Sequence, residues 1–212
     1  MPSHSERVTG LVLAGGQGSR MEGRDKGLVE FQGQSLAQRA MDRLRPQVSQ
    51  LLVSANRNQA HYERLGVRVL GDSLEGFQGP LAGMLVGLEH CETEWLQVVP
   101  CDVPFFPLNL VERLVTAADN EGCVAAYPLS PSEDGRQQRQ PVFLCVKSTA
   151  VSGLRDYLSS GGRKIDEWVR SVGVAQVPFD SNSAFANANT LEELKALSQG
   201  LPIHSEDSPC QR

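Results

Sequence analysis

The chain has 212 residues, 40% of them apolar and 21% charged, and a formal net charge of -5. That length suits one globular domain with a single sizeable core rather than two large ones, and the composition excludes an intrinsically disordered chain. The acidic balance gives no broad basic footprint for nucleic acid, whereas a phosphate-bearing small molecule needs only a local positive patch.

Met1 to Arg7 is polar and lacks the apolar core of a secretory signal. No uninterrupted apolar run is long enough to cross a bilayer, so the expected location is the cytoplasm, with no membrane partner. Five cysteines, at 91, 101, 123, 145 and 210, are odd in number and show no Cys-x-x-Cys spacing. They read as buried or incidental thiols rather than a disulfide framework or a zinc site. The histidines at 4, 61, 90 and 204 likewise lack ligand-like spacing.

The first predicted element is a strand over Val8 to Leu13, a short apolar run with β-branched residues that ends in glycines at 15, 16 and 18. A buried parallel strand entering a loop has this appearance. A helix follows in which Leu36, Ala40, Met41 and Leu44 share one apolar face. Further strands are expected at Leu51 to Ser54, Val67 to Leu70, Trp95 to Val99 and Val124 to Tyr127, separated by helix-like segments. Leu81, Met84, Leu85 and Leu88 form another helical face, with Pro80 where a first-turn proline is tolerated. This alternation of short strands and helices favours an α/β sandwich.

Ser130 to Gln140 is polar and carries Pro131 and Gly135, so an exposed, mobile loop or hairpin tip is expected there. Thr190 and Glu193 have capping-box spacing, which predicts a helix beginning at Leu191. The expected organisation is a flexible stretch over 1–7, one domain over 8–198 and a disordered tail over 199–212.

The densest chemistry lies between Leu13 and Lys26, directly after the first strand. Glycines let backbone N–H groups converge on phosphate oxygens, and Arg20, Arg24 and Lys26 add positive charge beside them. The spacing matches neither a P-loop nor a dinucleotide fingerprint. A plain tight turn is the competing reading of the glycines, but three cations so close together call for anions or solvent. Asp102 follows a strand between prolines, where a carboxylate can hold magnesium against substrate phosphates; it could equally cap the helix expected near Leu108. Asp72 also follows a strand, where a turn-forming role competes with ligand binding. Asn187 and Asn189 would point to one side of an extended segment and hydrogen-bond a polar heterocycle, or else form a turn before the helix.

Five segments in this order closely resemble the molybdenum cofactor guanylyltransferase family. They are Leu13-Ala-Gly-Gly with Ser19-Arg-Met21 and Asp25-Lys-Gly27, then Asp72, Gly79-Pro-Leu-Ala-Gly83, Pro100-Cys-Asp102-Val-Pro104, and Phe185-Ala-Asn187-Ala-Asn189-Thr190. The likeness extends to about Leu197. It implies a Rossmann-like nucleotidyltransferase sandwich with a central, mostly parallel sheet and helices on both faces. It also implies contacts from Leu13, Ala14 and Gly15 to the guanine nucleotide, with Gly16, Asp72 and Gly83 among the substrate-binding positions. Arg20 and Lys26 would meet the phosphates, Asp102 would hold Mg²⁺, and Asn187 and Asn189 would help to hold molybdopterin. Arg20, Lys26 and Asp102 are the expected catalytic residues. Position 54 is serine where the family often has asparagine, and no nucleotide contact is carried over to it.

The implied reaction moves GMP from GTP to the phosphate of molybdenum-molybdopterin and releases pyrophosphate. Two other readings share the phosphate chemistry: a nucleotidyltransferase using CTP or a sugar phosphate, and a non-catalytic carrier of guanine nucleotide or molybdopterin. The expected protein is a monomer that meets cofactor-insertion or acceptor proteins only transiently.

Overall fold

The computed structural model describes residues 3–14, 25–71, 79–132, 135–188 and 191–199. Its strands in chain order are β1 (Val8–Leu13), β2 (Glu30–Phe31), β3 (Gln34–Ser35), β4 (Gln50–Ser54), β5 (Arg68–Leu70), β6 (Trp95–Pro100), β7 (Ala125–Pro131), β8 (Gln137–Arg139), β9 (Cys145–Lys147) and β10 (Val174–Pro178). The helices are α1 (Leu36–Leu44), α2 (Gln59–Glu63), α3 (Pro80–Glu89), α4 (Leu110–Glu121), α5 (Val151–Ser159), α6 (Ile165–Val172) and α7 (Leu191–Ser198).

Seven strands run in the spatial order β10-β7-β9-β6-β1-β4-β5, and β8 adds to β7 as a hairpin whose turn includes Gly135. β1, β4, β5, β6, β7 and β10 all point the same way, while β8 and β9 are antiparallel to them. The sheet is therefore mixed but mostly parallel, with one edge that collects the carboxyl ends of six strands. β2 and β3 form a separate small hairpin.

Each face of the sheet is covered by helices because the central strands are apolar on both sides. On one face Val8, Val12, Val53, Trp95 and Val99 pack with Ala37, Ala40, Met41 and Leu44 of α1 and with Leu110, Leu114 and Val115 of α4. On the other, Leu11, Leu52, Leu96 and Val98 meet α3, α5 and α6. Ser35 starts α1 by accepting a hydrogen bond from the Gln38 N–H at 3.2 Å, and Gly122 ends α4 in a left-handed conformation, φ 65°.

α3 departs from the simple face expected of it. Every residue from Leu81 to Leu88 is buried, because the helix lies between the sheet and α5. Gly83 and Gly87, one turn apart, let it approach the sheet closely. A Cβ on Gly87 would stand 2.5 Å from Leu11 Cδ2, and one on Gly83 would stand 2.7 Å from Ser54 Oγ.

Packing begins ahead of Val8. Ser5–Arg7 makes a 3-10 turn, and Arg7 bridges Glu94 and Asp119 at 2.8 and 2.9 Å. No helix among the described residues is long and apolar enough to cross a membrane. The expected capping residue Thr190 and the tail from Gly200 onward lie outside the described residues, although α7 does begin at Leu191.

Candidate active site

The strand register draws the site together. Leu13 pairs with both Ser54 and Pro100, and Ser54 pairs with Leu70, so the carboxyl ends of β5, β4, β1 and β6 form one row. Three backbone hydrogen bonds extend that row by a residue: Ala14 N–H to the Ser54 carbonyl at 2.9 Å, Cys101 N–H to the Leu13 carbonyl at 3.1 Å, and Ala55 N–H to the Leu70 carbonyl at 2.9 Å. In open α/β sheets ligands gather beyond such an edge.

Asp102 stands at this edge, just past β6. Its carboxylate accepts a hydrogen bond from Lys26 Nζ at 2.8 Å, with both side chains about a fifth exposed. Lys26 and Asp102 are 76 residues apart, so this ion pair joins the exit of the glycine-rich segment to the end of β6. Val103 and Phe106 anchor the chain after Asp102 in the core. Asp102 does not cap a helix: α4 starts at Leu110, and the residue ahead of it is Asn109.

Asn187 is brought to the same place from the far end of the chain. The Ala188 N–H donates to the Asp102 carbonyl at 2.8 Å, and Phe185 is wedged edge-on against Phe143 and Phe179, with ring centroids 5.2 and 5.4 Å apart. Asn187, the residue before Ala188, is exposed. Leu13 ends β1, and Ala14, which follows it, is buried. Gly83 sits in the first turns of α3 beneath Leu13 and Ser54, and the Ser54 side chain is buried there. Gly79, with φ 124°, turns the chain into Pro80, whose missing N–H costs nothing at a helix start. Gly15, Gly16, Arg20, Asp72 and Asn189 lie outside the described residues.

Three further residues define the site's support. Asp25 Oδ1 accepts hydrogen bonds from Tyr62 Oη at 2.8 Å and from the Gly27 N–H at 3.1 Å, while Oδ2 accepts one from Asn58 Nδ2 at 3.0 Å. Burial, reinforced by the bond to Asp25, holds the Tyr62 phenol far above its ordinary value, so its hydroxyl stays protonated and donates. No sequence spacing marks Tyr62 or Asn58, which stand 37 and 33 residues beyond Asp25.

Cys101 is buried directly before Asp102, and burial followed by the neighbouring Asp102 charge pushes its thiol well up, which makes it inert. Cys145 is also buried, while Cys91 and Cys123 are partly exposed; all four are free thiols, and Cys210 lies outside the described residues.

Residues 10–176 match the MobA-like NTP transferase domain. Over 89% of its length the chain is 53% identical to a protein of Cupriavidus taiwanensis named molybdenum cofactor guanylyltransferase, of which it covers 95%. The chain belongs to the molybdenum cofactor guanylyltransferase family. A protein of the same name from Ralstonia nicotianae is 50% identical over 91% of the chain, with 96% of that protein covered. Among solved structures, molybdopterin-guanine dinucleotide biosynthesis protein A from Archaeoglobus fulgidus superimposes with a TM-score of 0.68 at 24% identity, over 90% of this chain and 97% of that one. At that identity the superposition speaks for the fold.

Membership makes the protein a nucleotidyltransferase, which agrees with the architecture. Lys26 and Asp102 set a cation and a carboxylate side by side at the carboxyl edge of the sheet. Among the described residues no three or more His, Cys, Asp or Glu side chains form an all-protein metal cage.

Proposed function

We propose that this guanylyltransferase moves GMP from GTP to the terminal phosphate of molybdopterin at the edge that carries Lys26 and Asp102. The observation that carries the site assignment is their 2.8 Å ion pair, which puts opposite charges where two substrate polyanions would meet. An oxygen of the acceptor phosphate attacks the α-phosphorus of GTP, forming a new P–O bond. The bond from that phosphorus to the bridging oxygen breaks, and its electron pair leaves with pyrophosphate. A phosphate monoester is nucleophilic near neutral pH, so no protein nucleophile is required and the work of the protein is positioning and charge neutralisation.

Magnesium fits the donor set. Mg²⁺ takes oxygen ligands, keeps several waters and is commonly held by one or two carboxylates together with substrate phosphates. Asp102 offers such a carboxylate, partly exposed and at the phosphate edge. When bound, the ion would offset charge on the triphosphate and on the departing pyrophosphate. Lys26 supplies an ammonium at the same edge, and both it and Arg20 are assigned to the triphosphate. Leu13, Ala14, Gly15, Gly16, Asp72 and Gly83 are assigned to the nucleotide side. Asn187 and Asn189 are assigned to molybdopterin, a role that the exposed position of Asn187, one residue before the Ala188 bonded to Asp102, supports.

The test is pyrophosphate release by the purified protein with Mg²⁺ and molybdopterin, comparing GTP with CTP and ATP. Release with GTP alone is expected. Release with CTP alone would overturn the base specificity, and binding of GTP without release in the presence of an active acceptor would make the protein a carrier.

A further inference from the structure

The catalytic assignment gives Lys26 a task without explaining why its ammonium stands where it does. Lysine carries a flexible four-carbon stem, and Lys26 begins a single 3-10 turn, Lys26–Leu28, which is too short to be stable alone. Something must hold that turn.

Asp25 has the geometry to do so. Its carboxylate receives three donors from two places in the chain: the Gly27 N–H of the turn itself, the buried hydroxyl of Tyr62, and the amide of Asn58. Tyr62 is fully buried on α2, so its hydroxyl is a fixed point of the core. Asn58 precedes α2 with φ 52°, and its side chain makes no cap bond to that helix. An asparagine in this position ordinarily caps the helix that follows; here its amide goes to Asp25 instead. Gly27 completes the fit, because a Cβ there would collide with Tyr62 Oη.

We propose that Asp25, Tyr62 and Asn58 form a clamp that positions Lys26: the Asp25 carboxylate ties the turn to α2 and so sets the ammonium against Asp102 and the phosphate edge. Asp25 is thus a positioning residue that acts through Lys26. The proposal rests on the reading of Lys26 as a phosphate-handling residue. A clamped ammonium is preorganised and a loose one is not, so loss of the clamp should appear in kcat more than in KM.

The experiment is a double-mutant cycle in kcat between Asp25→Ala and Lys26→Ala, with thermal unfolding recorded for each variant. Asp25→Ala alone should lower kcat by about tenfold or more with a smaller change in the KM for GTP. In the Lys26→Ala background the same change should cost less than about twofold, because the residue that it positions is gone. Combining Asp25→Asn with Asn58→Asp keeps the link between the two side chains with donor and acceptor exchanged, and should restore most of the lost kcat. If Asp25→Ala does not fold, Tyr62→Phe, which removes only one donor, takes its place in the cycle.

An equal loss of kcat in both backgrounds would overturn the clamp while leaving the role of Lys26 intact. Wild-type kcat for Lys26→Ala would instead remove Lys26 from the chemistry and the proposal with it.

Discussion

Gly27→Ala probes the packing of the clamp in its most constrained place. Gly27 is buried and its backbone does not require glycine's left-handed region, so alanine brings no conformational penalty of its own. The added methyl would overlap Tyr62 Oη, which is fixed by burial on one side and by Asp25 on the other. Overpacking a well-filled site costs about 1–3 kcal/mol, and displacing the hydroxyl from a charged acceptor costs about 1.5–3 kcal/mol more. The expected loss is about 4 kcal/mol, or roughly 8–16 °C in melting temperature for a chain of this size.

Adding Tyr62→Phe removes the oxygen that the methyl strikes. The double variant should then lose only the hydrogen bond, about 2 kcal/mol, and be more stable than Gly27→Ala alone. Urea unfolding of the wild type, both single variants and the double variant measures this directly. A Gly27→Ala protein as stable as the wild type, or a double variant whose loss equals the sum of the singles, would refute the contact between Gly27 and Tyr62.

The other expectations bear on the site and the core. Asp102→Ala should abolish pyrophosphate release while the circular dichroism spectrum stays native; turnover at the wild-type rate by a folded variant would remove Asp102 from the chemistry. Gly87→Ala places a methyl against Leu11 and Leu96, and overpacking of about 2 kcal/mol outweighs the helix-propensity gain of about 1, so a fall of roughly 2–4 °C in melting temperature is expected. An unchanged or higher melting temperature would show that α3 can move away from the sheet.

Burial raises the folded-state pKa of Cys101, Cys145 and Tyr62, so the unfolded chain loses these protons first, the thiols from 9.0 and the phenol from 10.0. Their contribution to stability is therefore complete below about pH 9 and declines as pH rises above it. Urea midpoints at pH 7.5, 9.5 and 10.5 should fall in that order, and equal midpoints would contradict the burial of all three groups.

Much of the molecule was legible in the sequence because the information is local. The apolar run Val8 to Leu13 ending in glycine, the four-residue spacing in α1 and the proline at the start of α3 each express a backbone preference that does not depend on distant residues. The same holds for the placing of Asp102 at a strand end. α3 was legible as a helix but not as one buried all round, since its second cover, α5, comes from more than sixty residues further along the chain.

The sequence by itself determined the alternation of strands and helices, the family and the charged residues, Lys26 and Asp102 among them, that follow the first strand and β6. Tertiary structure alone decided how those charges are arranged. The strand register sets Leu13, Ser54, Leu70 and Pro100 in one row, and that row brings Lys26 to Asp102 across 76 residues. It also decided that Tyr62 and Asn58 stand against Asp25, because the fold brings α2 and the residue before it to that partly buried carboxylate and supplies its donors from there. Such pairings follow from which surfaces meet in space, and no periodicity within the chain records them.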